Sequence, residues 1–411
     1  MDEGTEYGRA KKLVDIIHTI VNNHSGTGVK TLKLLLRPCG SVITGNQLDN
    51  WLQAAVKPGI AELAMDLPLN SDLSFNFPCS LLSCAASSLQ SLSLSSCAFC
   101  PTLMIGCLGN LRKVCPRAVR ITEEELGCLF FCAISLEKLE VSQCDGITCL
   151  KIPSHLQQLS FLQVFLCRNL RVVEIYAPKV STFSFTGPPT KISISNSSQM
   201  KNMTMDGQFY CGMFHHTLTK LHSIASNLQT LVLLSSKEAF GLPAQTDKFL
   251  HLRRLKISCV GMECFDFFSL VSFLRVCPAL EHFFLSACGP YVVPQDSNLE
   301  DSGADSSQIS SVTDFHLDNL KKVSIIGFCS SRSLIKLTCQ ILKTSSSLQC
   351  IVLDTTRGYD NSGICRNMDK KAVMESLRSA EAIKRYVKGK VPSRVKLEVL
   401  EPCTRCHLSK L

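Results

Sequence analysis

The side chains best equipped for chemistry are sulfur and nitrogen donors near the C-terminus. "CTRCH" carries Cys403, Cys406 and His407 at the C-x-x-C-H spacing of c-type haem attachment, and a thiol pair so spaced is also half of a zinc site. Haem attachment needs an export or organelle route, which the opening "MDEGTEYGRAKKL" does not offer because it lacks an apolar run. Structural zinc wants four converging donors, and the other close pair, Cys97 and Cys100 in "CAFC", belongs to a segment far upstream. The expectation is a structural tail without metal, with a zinc-binding or other metal protein using the cysteines as an alternative. The histidine pair of "FHH" (Phe214–His216) has no acidic partner nearby in sequence. Glu123, Glu124 and Glu125 suit the start of a helix, where the dipole favours negative charge, better than acid–base work. The sequence has no G-x-S-x-G elbow, no H-E-x-x-H and no phosphate-binding Walker loop. No catalytic residue and no cofactor is therefore assigned, and a non-enzyme is expected.

The elements that would position such groups are bounded by composition. The chain has 411 residues, 45% of them hydrophobic, with a net charge of +9 spread without any long basic block. A large core is expected, and nucleic acid is not an expected partner. The densest apolar runs, "LGCLFFCAI" and "FDFFSLVSFL", are about half the ~20 residues of a membrane-spanning helix, so no membrane partner is expected either. The expected location is cytoplasmic and/or nuclear. There the 23 cysteines would be small buried apolar side chains rather than disulfides, and the sequons at Asn23, Asn196 and Asn202 would carry no meaning.

Within "SLEKLEVSQC" the pattern L-x-x-L-x-L begins at Leu136, and it recurs along the chain. "VKTLKL" at 29, "IAELAM" at 60, "LQSLSL" at 89, "LSFLQV" at 159, "VSTFSF" at 180 and "MKNMTM" at 200 fit it. So do "LQTLVL" at 228, "LRRLKI" at 252, "LEHFFL" at 280, "LKKVSI" at 320 and "LQCIVL" at 348, with a degraded "LRKVCP" at 111. Most starts lie roughly 20 to 31 residues apart, the range of leucine-rich repeats or close to it. In each copy the last positions alternate as a short strand, Leu139 and Val141 to one face, Lys138 and Glu140 to the other. Eight places after the start stands a cysteine in four copies, Cys97, Cys144, Cys167 and Cys288. That slot turns inward and takes Asn or Cys, so these thiols are architecture. The fold expected is α/β: a leucine-rich-repeat solenoid, or horseshoe, with a parallel inner sheet and a mixed helical and extended outer face.

Helical connections are expected at 46–57, 122–134, 265–277 and 333–345, with Thr122 and Glu125 as a capping box and Ser333 as a further cap. The tight repeats from 136 to 205 leave too little chain for a full helix, so extended or turn-like outer segments such as "VVEIYAP" are expected. Residues 1–28 would form an N-terminal helical cap and 29–368 the solenoid, with an acidic, Ser-rich insertion at about 290–314. Residues 369–411 would be a C-terminal helix and cysteine-containing tail capping the far end.

Several phrases are more specific than a repeat: "HSGTGVKTLKL", "LDNWLQAAVKPGIAELAMDLP", "FNFPCSLL", "RITEEELGCL", "CDGITCLKIP" and "IVLDTTRGYD…GKVPSRVKLEVLEPCTRCH". Together and in this order, from about residue 14 to 411, they resemble the plant F-box/leucine-rich-repeat family, including its FBD-associated members. In that family an N-terminal F-box binds the Skp1 adaptor of a cullin (SCF) ubiquitin ligase, and the repeats bind the protein to be ubiquitylated. Fewer than thirty residues precede the first repeat here, and no L-P-x-[DE]-x-[IL] start occurs among them. The resemblance thus implies the substrate-recognition scaffold; Skp1 would be a partner only if an F-box lies upstream, in a chain of which this is a truncated isoform or gene model.

The surface left for function is the concave face. Its outward positions include Phe161, Gln163 and Phe165 on one strand, then Arg254, Lys256, His282, Phe284 and Lys322, and also Asp354. Exposed aromatics beside arginine and lysine are the composition of protein-interface hot spots. The expected function is a non-enzymatic protein-binding scaffold with an unidentified protein partner, in which the groove around Phe284, Arg254 and Lys256 favours an acidic, partly apolar segment.

Overall fold

All thirteen copies of the L-x-x-L-x-L spacing become strands in the computed structural model. It describes residues 6–23, 28–40, 42–68, 75–103, 106–195, 197–207, 226–235, 248–259, 266–287, 315–358, 367–403 and 406–407. Phe214–His216, Cys288 and the insertion at 290–314 lie outside these residues. The chain divides into two units, Met1–Gln199 and Met200–Leu411.

In the first unit, β1 (Thr31–Leu35), β2 (Glu62–Asp66), β3 (Ser91–Ser95), β4 (Lys113–Arg117), β5 (Lys138–Ser142), β7 (Phe161–Phe165) and β9 (Thr182–Thr186) follow one another in a parallel sheet. Register is set by the apolar column: Leu139 stands opposite Leu162, and Leu162 opposite Phe183. All three are fully buried, each burial contributing about 1.5–3 kcal/mol. A slip of one residue would turn the whole column to solvent. The expected extended outer segments are strands too. β6 (Cys149–Ile152), β8 (Val172–Ile175) and β10 (Lys191–Ile194) form a second parallel sheet in the order β10–β8–β6.

The turn after β3, β4, β5 and β7 is the same device. Ser96, Ala118, Gln143 and Leu166 each adopt a left-handed backbone, with φ of 58°, 49°, 53° and 52°. Such a residue costs roughly 1–2 kcal/mol, offset here by its N–H donating to a carbonyl of the next repeat, as Gln143 does to Phe165 at 2.7 Å. The step drives the following side chain inward, and that side chain is Cys97, Val119, Cys144 or Cys167, all buried. The Cys144 thiol lies 3.7 Å from the Pro116 carbonyl and the Cys167 thiol 3.9 Å from that of Val141, each in the preceding repeat. Burial pushes the Cys97 and Cys144 thiols up to about 12 and Cys167 up to about 11. They stay protonated donors at neutral pH.

Helices α1 (Glu6–Asn22), α2 (Gly45–Ala55), α3 (Ser80–Ala85) and α4 (Glu123–Cys132) complete this unit. The capping box at the start of α4 is present: the Thr122 N–H donates to Glu125 at 2.7 Å and the Glu125 N–H to Thr122 Oγ1 at 3.2 Å. Glu123 does something the sequence did not suggest. Its carboxylate accepts from the Thr148 N–H and hydroxyl and from the Cys149 N–H, at 2.9, 2.6 and 2.8 Å. These bonds, chiefly the one from the Thr148 hydroxyl, hold its carboxyl below the usual glutamate range.

In the second unit β11 (Asn202–Asp206), β12 (Thr230–Ser235), β13 (Arg254–Cys259), β14 (His282–Ser286), β15 (Lys322–Ile326) and β16 (Cys350–Asp354) are parallel neighbours in sequence order. A further strand, β17 (Lys396–Leu400), pairs Lys396 with Cys350 and was missed because Arg394 fills the aliphatic first slot. The connections are α5 (Leu270–Arg275), α6 (Arg332–Thr344) and α7 (Lys370–Ala382). Ser333 does not cap α6. It lies inside that helix, where its oxygen accepts from the Phe267 N–H at 3.2 Å. Asp354 is not an outward residue either: it is 2% exposed and accepts from the Thr356 N–H and hydroxyl at 2.8 and 2.6 Å. The "DTT" phrase is thus a structural clasp, as Thr355 also donates to the Leu400 carbonyl in β17. Buried Glu375 in α7 accepts at Oε1 from the Ser330 N–H and hydroxyl, while its Oε2 has no hydrogen-bond partner and faces Arg378 at 3.9 Å. Among the described residues, no helix is long and apolar enough to cross a membrane.

Candidate protein-binding face

On every inner strand the residues between the core positions point away from the leucines, so their identity is free of packing. In the first unit this face carries Phe161, Gln163 and Phe165, all half-buried on β7. Phe161 lies under a cation, with Lys138 Nζ 4.5 Å from its ring centre. Lys138 also pairs with Glu140 at 2.6 Å, and the Cys115 thiol donates to the same carboxylate at 3.2 Å. Burial works against the Glu140 charge, but those donors outweigh it and leave the carboxyl below its ordinary range. The Cys115 thiol is pushed up to about 12, by burial first and then by Glu140. Beside these groups a depression of about 380 Å³ lies among Cys115, Pro116, Arg117, Ser142, Gln163 and Phe165. Pro116 explains it in part: the recorded β4–β5 register runs through Val114 and resumes at Arg117, as expected where a residue has no N–H to donate. Nothing in the repeat pattern signals this hollow beyond the proline in the third slot.

In the second unit, register assembles the remaining candidates. Arg254 on β13 stands opposite His282 on β14, and His282 opposite Lys322 on β15. Lys256 stands opposite Phe284 in the same way, with its ammonium 5.0 Å from the ring centre. Arg254, Lys256 and Lys322 are exposed, while His282 and Phe284 are half-buried. Among the described residues, no carboxylate lies within ion-pair distance of Arg254, Lys256 or Lys322. The neighbouring acids are taken: Glu281 pairs with Lys321 at 3.1 Å and Arg253 at 3.8 Å, and Glu398 with Lys396 at 2.5 Å. Lys396 and Glu398, on the missed strand, extend the face one step further. The candidates thus fall on one strand of the first unit and on three neighbouring strands of the second.

Parallel five-residue strands, an inward ladder of cysteines and an outer layer of strands and helices define a leucine-rich-repeat protein. The family described as "At1g61320/AtMIF1, LRR domain" matches residues 20–404, and the chain belongs to it. The "FBD-associated F-box protein At1g61320" of Arabidopsis thaliana is 23% identical over 371 residues, covering 86% of this chain and 78% of that protein. The "Putative FBD-associated F-box protein At1g61330" of the same plant is 23% identical over 368 residues, covering 85% and 79%. Among solved structures, the plant peptide hormone receptor RGFR1, in complex with RGF2, matches with a TM-score of 0.33 and 12% identity, over 80% of this chain and 55% of the receptor.

Proposed function

We propose that this protein works by binding rather than by catalysis, as the partner-recognition scaffold of an F-box-type protein. The reading rests on one observation: Phe284 lies beside Lys256 at 5.0 Å, next to a row of cations that includes Arg254 and Lys322. An aromatic ring beside cations without a carboxylate at ion-pair distance among the described residues fits a segment that is acidic and partly apolar, because acids would gain charge-assisted bonds while an apolar side chain covers the ring. The bound protein would be a ubiquitylation substrate if the scaffold serves an SCF ligase, a reading supported by the F-box names of its relatives. Proteins co-purifying from plant tissue with the natural chain and with Arg254→Glu/Lys256→Glu provide the test. The expected result is one abundant companion lost from the variant; equal recovery would remove the groove from consideration. Skp1 in the same eluates would report on the ligase role separately.

A further inference from the structure

Past β17 the chain makes a turn that brings three metal-ligating side chains together. The Cys403 and Cys406 sulfurs and a ring nitrogen of His407 all lie within 4.8 Å of one another. The spacing produces the cluster. The Cys406 N–H points at Cys403 Sγ, 3.4 Å away, and the His407 N–H donates to the Cys403 carbonyl at 3.3 Å. His407 is 1% exposed, whereas Cys403 is half-buried and Cys406 exposed, so the cluster has a fixed floor and an open side.

Two sulfurs and one imidazole select zinc over calcium or magnesium, which take oxygen ligands. With Zn–S bonds of about 2.3 Å and Zn–N bonds of about 2.0–2.1 Å, tetrahedral donors stand roughly 3.5–3.8 Å apart. The donors here need to draw in by no more than about 1.3 Å, within the reach of side-chain rotation. A porphyrin would require the two thiols to spread along the edge of a macrocycle, whereas these three groups converge on a point.

We propose that Cys403, Cys406 and His407 form a zinc site, completed by a solvent molecule and independent of Cys97 and Cys100. A closed zinc site would need a fourth protein donor, and "CAFC" lies in a distant repeat. Three protein donors hold zinc when solvent takes the fourth position. The metal would fasten the end of the chain behind β17.

The experiment uses the full chain, purified reduced and without a metal-affinity tag, then dialysed against a competing chelator. Metal analysis is expected to find about one zinc per chain. Cobalt replacement is expected to give the visible thiolate-to-metal absorption of a tetrahedral site. Cys403→Ser and Cys406→Ser should each retain at least about tenfold less zinc, His407→Cys should keep it, and Cys84→Ser, at an exposed thiol of α3, should match the natural chain. Far-ultraviolet circular dichroism of each variant checks that the repeats remain folded. Any of three results would overturn the proposal: zinc below about a tenth of an equivalent, full retention in the double serine variant, or a Cys403–Cys406 disulfide in place of metal.

Discussion

The strand faces of the two units share a backbone plan and treat charge differently. In the first, Lys33 holds Glu62 at 3.0 Å, Arg37 holds Asp66 at 2.6 Å and Lys138 holds Glu140 at 2.6 Å. In the second, Arg254, Lys256 and Lys322 have no such carboxylate among the described residues. Exposed pairs contribute only about 0–1 kcal/mol, so the pairing does little for stability. It offsets part of the charge on the first face, where Lys113 and Arg117 stay exposed, whereas in the second only Lys396 and Glu398 pair on the strand face among the described residues. Their backs differ as well: strands β6, β8 and β10 follow helices α2 to α4 in the first, where the described connections of the second are helices. The leucine pattern governs the inner strands alone; side chains on the open face and the form of the connections vary independently of it.

The largest expected effect tests the two kinds of backing. Leu337→Ala, in the buried face of α6, should lower unfolding free energy by about 3 kcal/mol, within the 2–5 kcal/mol range of such truncations. Val173→Ala, buried in β8, should cost about 1.6 kcal/mol, two methylene equivalents, with both measured by urea unfolding. Equal losses, from two carbons against three, would mean that strand backing is packed more tightly per carbon than helix backing. Next comes charge: Arg254→Glu/Lys256→Glu should weaken binding of an isolated partner about 100-fold, while Lys33→Glu on the first face should change it less than about threefold. Similar losses from both variants would erase the contrast between the faces.

A smaller effect comes from the cysteine ladder. Cys144→Ala should cost about 1–2 kcal/mol near neutral pH by removing a buried thiol and its contact with the Pro116 carbonyl. Because the folded value of Cys144 is raised to about 12, above that of the unfolded chain, its contribution is complete below pH 9 and is lost as pH rises through about 12. The natural chain should therefore lose its advantage over the variant on alkaline titration. The smallest effect belongs to Glu123, exposed and with a lowered folded value. Its contribution is present above the unfolded glutamate range and lost as pH falls through the lowered folded one. After solvent screening, Glu123→Gln should cost at most about 0.5 kcal/mol at neutral pH and nothing in strong acid.

The sequence announced the strands that obey the repeat because apolar side chains at fixed spacing leave the backbone one way to hide them. Even "LRKVCP" became β4, since Val114 and Pro116 still fill the inward positions. β17 escaped notice because Arg394 breaks the triplet while Leu397 and Val399 continue the alternation. Asp354 was misread as outward for the reverse reason: its slot obeys the pattern, but Thr356 two residues on supplies donors that make burial tolerable. Individual face residues were legible from alternation. Their distances were not, such as the 5.0 Å from the Lys256 ammonium to the Phe284 ring, because the repeat does not set side-chain rotamers. The cluster at Cys403, Cys406 and His407 was visible as a motif, but only the turn that joins them shows that three donors meet.

The lysine poised over Phe284 has a kinetic consequence. A ring already held by a neighbouring cation forfeits little rotational freedom when a partner covers it, so the entropic toll of docking falls before any encounter occurs. The ring should govern how long a complex lasts, and the surrounding cations how quickly it forms and how steeply that speed declines with added salt.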